Sequence, residues 1–360
     1  MKAFLLLEDG HLFTGQSIGA PRDVLFEAVF NTSMTGYAGL LTDPSYAGQG
    51  VVMTYPLVGN CGISPEDEES KRPWVSAFIL REIARTVENP HSGEDLSSYL
   101  VRHNIPGIAG VDTRALAKVL REKGSMNAFL TTNPAFDRGE AMLRTAAYCH
   151  GDLVERVTSK TMELHLGDGH RVALLDFGAK LGIVRCLTKR GCEVTTYPAE
   201  TPISEILGAK PHGIILSSGP GDPRDCAAFL PGVEKLVHSG TPLFAIGLGH
   251  QLVARSLGIG TGKLTYGHRG DNQPVCDTRT GCAYITSQSH GYCVSRESLP
   301  TGVEITYENI NDGTVEGLRL TDYPVFSVQF RPEASPGPGD TEFLFDQFID
   351  AMGGAEHAAQ

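Results

Sequence analysis

The stretch Pro242-Leu243-Phe244-Ala245-Ile246-Gly247-Leu248-Gly249-His250-Gln251-Leu252 decides the fold of this chain. A continuous apolar run ends abruptly in Gly-Leu-Gly, and a helical pattern follows. This order predicts a buried strand, a sharp turn and the first turn of a helix. Enzymes with a nucleophile elbow place their reactive side chain at the apex of such a turn. The apex here is Gly247, so the predicted turn is typical of a nucleophile site but lacks a nucleophile.

The length and composition indicate a soluble globular protein with two domains. The chain has 360 residues, of which 41% are hydrophobic and 20% are charged. No apolar run approaches the ~20 residues that span a bilayer, so no membrane association is expected. The net charge of −12 argues against nucleic acid as a general partner. The chain has eight scattered cysteines without a Cys-x-x-Cys pair and no signal peptide, which predicts reduced thiols and a cytoplasmic location.

Residues 1–150 are predicted to form a β-rich domain, because short apolar runs alternate with Gly and Asp. Two helical patterns interrupt them. One begins after Asp95, which can cap it. The other spans Asp112–Gly124, with an N-cap aspartate, apolar residues at helical spacing and a terminal glycine.

The pattern changes after that domain. Residues 151–170 are polar and weakly patterned and are predicted to be a linker with some helical content. Residues 171–354 alternate apolar strands with helices, which predicts an α/β domain with a parallel sheet. Residues 355–360 are predicted to be a frayed tail.

Three polar or glycine-rich segments accompany the elbow. Gly219–Asp222 follows a predicted strand and offers backbone N–H groups, and Phe326–Ala334 carries an apolar strand into Arg331 and Glu333. Ser287–Tyr292 is predicted to be a polar turn after another strand. Ligands of parallel sheets bind beyond the C-terminal ends of the strands, so we expect these segments to lie together.

These segments together resemble the class I, triad-type glutamine amidotransferases, and most closely the small, glutaminase subunit of carbamoyl phosphate synthetase. The resemblance covers nearly the whole chain. The matching motifs are Phe30–Tyr37, Thr42–Tyr46, Thr54–Pro56, Asp95–Leu100, Asp112–Arg114, Asp176–Lys180, Ser218–Pro223, Gly249–Leu252 and Pro332–Pro338. The resemblance implies an N-terminal β-rich α/β small-subunit domain followed by an amidotransferase domain whose parallel or mixed sheet is flanked by helices.

The resemblance also implies a mechanism. In this family a Cys thiolate attacks the side-chain amide of glutamine, a His oriented by a Glu moves the protons, and backbone N–H groups stabilise the oxyanion. The ammonia passes to a large subunit, which makes carbamoyl phosphate from bicarbonate and ATP for arginine and pyrimidine synthesis. ATP would therefore be bound by the large subunit, and no cofactor is expected in this chain.

The chain departs from the family pattern at two of the three triad positions. Gly247 stands at the Cys position and Arg331 at the His position, whereas Glu333 is retained. A guanidinium stays protonated near neutral pH and cannot act as a general base. Either an Arg331–Glu333 ion pair that closes the old site or a new anion site is compatible with these residues.

Much of the glutamine pocket remains by resemblance. Substrate-contact positions are occupied by Ser45, Gly219, Gly221, Leu248, Gln251, Ser289, Gly291 and Tyr292. The family usually has Asn where Ser289 stands, and a hydroxyl cannot replace both functions of an amide, so one ligand contact is expected to be lost or moved.

Three functions follow from this pattern. The chain is a non-catalytic partner of a large subunit that uses free ammonia, or it still hydrolyses glutamine by rerouted chemistry, or it is a regulatory protein that binds glutamine or another small carboxylate through Arg331. Residues considered for rerouted chemistry are Cys293, His250, His268 and His290.

Two other ligand sites are not expected. Gly258–Lys263 has the wrong glycine spacing for a P-loop. His290 and Cys293 with Cys276 and Cys282 fit no common zinc spacing, so no metal is predicted.

Overall fold

The computed structural model describes residues 1–297 and 299–358, with side chains through 353. The chain divides into two compact units. The first contains Met1–Gly151 and Thr265–Gly270, and the second contains Asp152–Leu264 and the chain from Asp271 onward. The first boundary lies one residue from the predicted end of the N-terminal domain.

The first unit is built around a closed barrel with strand order β1-β2-β8-β6-β4-β3-β9. The strands of this unit are β1 (Lys2–Leu7), β2 (Leu12–Ser17), β3 (Val24–Asn31), β4 (Gln49–Met53), β5 (Leu57–Val58), β6 (Ala77–Ile79), β7 (Glu82–Ile83), β8 (Gly107–Ala109) and β9 (Met126–Thr131). Strands β5 and β7 pair with each other outside the barrel. Its helices are α1 (Tyr37–Thr42), α2 (Leu96–Arg102), α3 (Thr113–Lys123) and α4 (Arg138–Ala146). Phe26 fills the core beside Gly50, where an added Cβ would lie 2.2 Å from the Phe26 ring.

The two predicted helices of this unit begin where their caps predict. Asp95 accepts hydrogen bonds from the backbone N–H (3.0 Å) and the hydroxyl (2.6 Å) of Ser98 at the start of α2. Asp112 accepts from the N–H of Ala115 at the start of α3, and α3 ends at Gly124, whose φ is 100°. Both helices are fixed by local chemistry, which is why the sequence predicts them well.

The second unit is built on a ten-stranded sheet with order β10-β12-β11-β13-β14-β19-β18-β16-β15-β17. Its strands are β10 (Glu163–His165), β11 (Arg171–Asp176), β12 (Glu193–Pro198), β13 (Gly213–Leu216), β14 (Leu243–Ile246), β15 (Thr261–Asp277), β16 (Ala283–Val294), β17 (Val303–Asn309), β18 (Val315–Leu320) and β19 (Val325–Val328). Its helices are α5 (Leu153–Val157), α6 (Leu181–Lys189), α7 (Ile203–Gly208), α8 (Leu230–Val237), α9 (Leu248–Ser256) and α10 (Phe343–Ala358).

The sheet has a parallel half and an antiparallel half. Strands β12, β11, β13, β14 and β19 run parallel, and strands β15 to β18 pair antiparallel. The predicted α/β class with a parallel or mixed sheet flanked by helices is therefore confirmed.

Strand β14 explains why the deciding stretch is continuously apolar. Leu243 and Ala245 belong to the core on one face of the sheet, and Phe244 and Ile246 belong to the core on the other. All four side chains are fully buried, as expected for a strand covered on both faces.

Residues 151–170 differ from the predicted linker. They contain α5, whose Leu153 and Val154 are buried, and β10, which pairs antiparallel with β12. Strand β10 lies at the edge of the sheet, so its exposed side chains give the weak pattern that suggested a linker. At the other end, α10 runs through Ala358 into the predicted tail, and residues 359–360 lie outside the described part of the chain.

No helix in the described part of the chain is long and apolar enough to cross a membrane.

The Asp95 cap gives a prediction for stability and its pH dependence. Asp95→Ala should lower the free energy of unfolding by about 1 kcal/mol at neutral pH. Hydrogen bonds from Ser98 hold the pKa of Asp95 below its ordinary value, so this stabilisation is present above the unfolded-state pKa of about 3.9 and is lost as the pH falls through the folded-state pKa. The difference in urea midpoint between wild type and variant, measured at constant m value, should therefore shrink as the pH falls through the folded-state pKa. Asp350→Ala, an exposed aspartate inside α10, is the control and should be neutral or slightly stabilising at every pH.

Candidate functional site at the strand–helix elbow

The elbow has the predicted order of strand, turn and helix. Gly247 follows β14 with φ 57° and ψ −110° and precedes α9. Its N–H donates to the carbonyl of Val328 on the neighbouring strand at 2.9 Å, and the N–H of Gly249 donates to the carbonyl of Ser217 at 3.0 Å. A positive φ is disfavoured for any residue with a side chain, so the elbow is unstrained because its apex is glycine.

Glycine-rich loops bring α9 close to the sheet. A Cβ at Gly249 would lie 2.5 Å from the carbonyl oxygen of Leu216, and one at Gly219 would lie 2.8 Å from Cδ2 of Leu248. The N–H of Leu248 belongs to the first turn of the helix, where N–H groups have no intrahelical acceptor. Backbone donors at such a turn are the usual components of an oxyanion site. The structure thus places Gly219 and Leu248 together, as the sequence predicts.

The loop that carries Gly219 and Gly221 ends in an ion pair between Asp222 and Arg224. Arg224 donates to both carboxylate oxygens of Asp222 at 2.6 to 3.1 Å. Burial alone would raise the pKa of Asp222, but hydrogen bonds from Arg224 and Tyr292 lower it below its ordinary value. Asp222 therefore stays ionised near neutral pH.

Gln251 is held by a polar network that sequence reasoning missed. Its amide Nε2 donates to the carbonyl of Tyr292 and to Oε1 of Gln329, both at 2.9 Å. Gln329 is a buried amide directly after β19, a position where an apolar residue would be ordinary. Within the described residues, Nε2 of Gln329 and Oγ of Ser289 are buried without a hydrogen-bond partner. Gln251, a position predicted to contact substrate, is thus part of a buried hydrogen-bonded network.

The segment Ser287–Tyr292 is part of β16, and the prediction of a turn was wrong. Its buried polar side chains bond within β16 and to β18. Nε2 of Gln288 donates to the hydroxyl of Thr286 and to the carboxylate of Glu316, both at 3.1 Å. The ring nitrogens of His290 lie 2.8 Å from the carbonyl of Tyr292 and 3.0 Å from Oε1 of Gln288. A polar strand of this kind looks like a turn in sequence because it lacks apolar residues. Gly291 lies within it, half-buried.

Arg331 and Glu333, which the resemblance assigns to the other two triad positions, follow β19. The N–H of Arg331 donates to the carbonyl of Ser287 at 3.0 Å, and Arg331 is buried. Oε1 of Glu333 lies 3.3 Å from Nζ of Lys180, and both side chains are completely buried. The structure therefore pairs Glu333 with the buried Lys180. Neither carboxylate oxygen of Glu333 has a hydrogen-bond partner within the described residues.

Lys180 is positioned by the loop after β11. Oδ1 of Asp176 accepts hydrogen bonds from the N–H groups of Gly178 (2.8 Å) and Ala179 (2.7 Å). This fixes the turn that leads to Lys180, whose Nζ also donates to the carbonyl of Ala334. The sequence places Lys180 in a motif, but its pairing with Glu333 joins segments 153 residues apart and has no local signal.

Cys293, His250, His268 and His290, the residues considered as alternative catalytic groups for glutamine hydrolysis, are poorly suited to that role. Burial, and then the charge of Glu316, raises the pKa of the Cys293 thiol to about 11. Complete burial lowers the pKa of His250 to about 3, and its Nδ1 lies 2.8 Å from the Ser327 hydroxyl. His290 is engaged within β16, and His268 is buried in the part of β15 that belongs to the first unit.

Ser45 lies in the first unit, in a short helical turn over Pro44–Tyr46. Its N–H donates to Oδ1 of Asp43 at 2.9 Å, and the residue is buried. Its role in a glutamine pocket stays a prediction.

Both halves of the chain match known families. Residues 5–130 match the carbamoyl-phosphate synthase small chain, CPSase domain, and residues 173–351 match the glutamine amidotransferase class-I family. The carbamoyl phosphate synthase small chain of Bacillus caldolyticus is 46% identical over 353 residues, which cover 97% of this chain and 96% of the relative. The small chains of Clostridium perfringens and Pseudomonas syringae pv. tomato are 45% and 43% identical, and each alignment covers 97% of this chain and at least 98% of the relative.

The buried pair of Lys180 and Glu333 gives a stability prediction. Lys180→Met should lower the free energy of unfolding by about 3–5 kcal/mol, because it leaves a buried carboxylate without a compensating charge. Adding Glu333→Gln removes that charge and should restore part of the loss, which a double-mutant cycle in urea measures. Lys189→Met, which removes an exposed lysine on α6, is the control and should change stability little. Additive effects of the two buried substitutions would contradict the pairing.

Proposed function

The chain belongs to the carbamoyl phosphate synthase small-chain family, and we propose that it is the non-catalytic partner of a large subunit that uses free ammonia. One observation carries this proposal. The apex of the elbow is Gly247 in a left-handed conformation, and the position that the resemblance assigns to the general base is Arg331.

Hydrolysis of glutamine by this family's route needs a thiolate to attack the amide carbon and a base to take and return the thiol proton. Gly247 has no atom that could form the thioester. The Arg331 guanidinium has no lone pair to accept a proton near neutral pH. The backbone donors of the elbow remain, but stabilising an oxyanion is of no use when no bond to the substrate can form.

The proposed role is therefore assembly. This chain would bind and stabilise a large subunit that carries out the ATP-dependent steps toward arginine and pyrimidine precursors in the cytoplasm. By resemblance, Gly219, Leu248 and Gln251 occupy substrate-contact positions. The close packing of Gly219 on Leu248 and the hydrogen bond that holds Gln251 support residual binding of glutamine or another small carboxylate without turnover.

Glutamine hydrolysis through a different nucleophile is the rival function, with Cys293 as its main candidate. With a pKa of about 11, only about one Cys293 thiol in ten thousand is ionised at pH 7. This low thiolate fraction argues against the rival.

A steady-state assay tests the proposal. Ammonia release from glutamine should equal the buffer blank, both for the chain alone and with its large subunit, while the large subunit should copurify with the chain and use added ammonium. An electrophilic glutamine analogue should label no cysteine. Ammonia release well above the blank, or an adduct on Cys293, would establish the rival function instead.

Restoring the two missing groups tests whether the rest of the site is intact. Gly247→Cys with Arg331→His should raise glutamine-dependent ammonia release at least about tenfold over wild type. The elbow keeps its backbone donors, and the Glu333 carboxylate, although paired with Lys180, accepts no hydrogen bond that would prevent it from orienting the imidazole. The matched control is Gly247→Ala with Arg331→His, which adds the same Cβ, 3.1 Å from Cβ of Ser218, but no thiol.

If the restored variant is no better than this control, the comparison extends to Ser289→Asn in the same background. Activity that appears only with Asn at 289 would locate the defect in the substrate pocket. Inactivity of all three would contradict the inference that the elbow donors are intact.

A further inference from the structure

Two buried amide side chains meet near the start of α9. Gln251 lies on α9 and Gln329 directly follows β19, and each residue is only 3% exposed. Nε2 of Gln251 lies 2.9 Å from the carbonyl oxygen of Tyr292 and 2.9 Å from Oε1 of Gln329. The three residues therefore form one chain of hydrogen bonds that connects α9 with β16 and with the segment after β19.

The backbone carbonyl of Tyr292 fixes the orientation of the Gln251 amide. A carbonyl oxygen only accepts hydrogen bonds, so the Gln251 atom that meets it is the amide nitrogen and not the amide oxygen. That nitrogen has two hydrogens, and the second is donated to Gln329. Both donors of Gln251 are thus used within the protein. The atom that Gln251 can offer to a ligand is Oε1, which only accepts.

Gln329 is the second anchor of this amide. Its backbone N–H donates to the carbonyl of Glu316 at 2.8 Å, so its side chain starts from a fixed position in the sheet. An apolar side chain at position 329 would leave one N–H of a buried amide without an acceptor, and the Tyr292 carbonyl alone would hold Gln251. The amide could then rotate about its last torsion, which has no sharp preference in glutamine, and Oε1 would lose its fixed position.

We propose that Gln329 is a positioning residue that holds Oε1 of Gln251 for a ligand with an N–H donor. This inference rests on the proposed function, in which Gln251 occupies a substrate-contact position and the chain binds a small carboxylate without turnover. It narrows that ligand class. An ammonium group donates to an amide oxygen in a charge-assisted hydrogen bond, so an α-amino acid such as glutamine fits this acceptor better than a carboxylate without an amino group.

Calorimetric titration of the full chain with two ligands tests the proposal. One ligand is glutamine, and the other is 4-carbamoylbutanoate, which is glutamine without its α-amino group. Wild type should bind glutamine more tightly by about tenfold or more, because a hydrogen bond to a charged group contributes a factor of that size. Ammonia is measured in the same samples, because turnover of glutamine would contradict the proposed function without deciding the role of Gln329.

Two substitutions at position 329 separate positioning from packing. Gln329→Met has a similar length but no acceptor, so it should reduce the preference for glutamine about threefold or more and change the affinity for 4-carbamoylbutanoate less than about twofold. Gln329→Glu keeps an acceptor for Gln251 and removes no hydrogen bond that Nε2 makes within the described residues, so it should keep the wild-type preference. Gln329→Glu also decides the question alone if Gln329→Met does not fold.

Ser327→Ala is the matched control. Ser327 is a buried polar residue of β19 that also contacts α9, since its hydroxyl lies 2.8 Å from Nδ1 of His250. The substitution weakens the contact between the same two elements outside the Gln251 network. The urea midpoint should therefore fall, while the preference for glutamine should stay at the wild-type value.

Four results would overturn the proposal. Wild type could bind neither ligand or both equally, which would leave the assembly role intact but remove the ligand role of Gln251. Gln329→Met could keep the wild-type preference, or Gln329→Glu could lose it as completely as Gln329→Met does. Finally, Ser327→Ala could lose the preference to the same extent, which would assign the effect to packing between α9 and β19.

Discussion

The close approach of α9 to the ends of three neighbouring strands is the constraint on which the second unit depends. The turn at Gly247 is bonded to β19 through Val328, and Gly249 is bonded to the end of β13 through Ser217. Neither contact uses a side chain. Position 249 requires glycine, because a Cβ there would collide with the carbonyl of Leu216. A side chain at position 247 would have space but would be strained by the positive φ. Backbone contacts alone therefore fix the position of the N-terminus of α9.

The glutamate that the resemblance assigns to the third triad position is held by a different kind of interaction. Glu333 is buried against Lys180, and Lys180 is fixed by the Asp176 turn and by the carbonyl of Ala334. An uncompensated carboxylate at this depth would be strongly destabilising. Glu333 thus contributes to the packing between the β11 loop and the segment after β19, whether or not it orients a catalytic group. The presence of a glutamate at position 333 therefore does not by itself indicate catalysis.

Sequence reasoning succeeded where the signals are local. The cap at Asp95, the continuous apolar run of β14 and the elbow at Gly247 each depend on residues within a few positions, and the structure contains all three. It failed where stability comes from distant partners. β16 buries polar residues that satisfy one another and Glu316 of β18, so its sequence is typical of a turn. The pairing of Lys180 with Glu333 likewise has no signature in either segment.

These two kinds of interaction place different physical constraints on the apex of the elbow and on Glu333. The elbow keeps its shape through backbone bonds, so a glycine at its apex leaves those bonds in place and avoids the strain of a side chain at positive φ. Glu333, in contrast, carries a buried charge that Lys180 must balance, so it cannot change without a second substitution. Under the proposed function, in which the site has no turnover, the apex position is therefore less constrained physically than the glutamate. The combination of Gly247 with a buried, lysine-paired Glu333 is the pattern that this difference in physical constraint predicts.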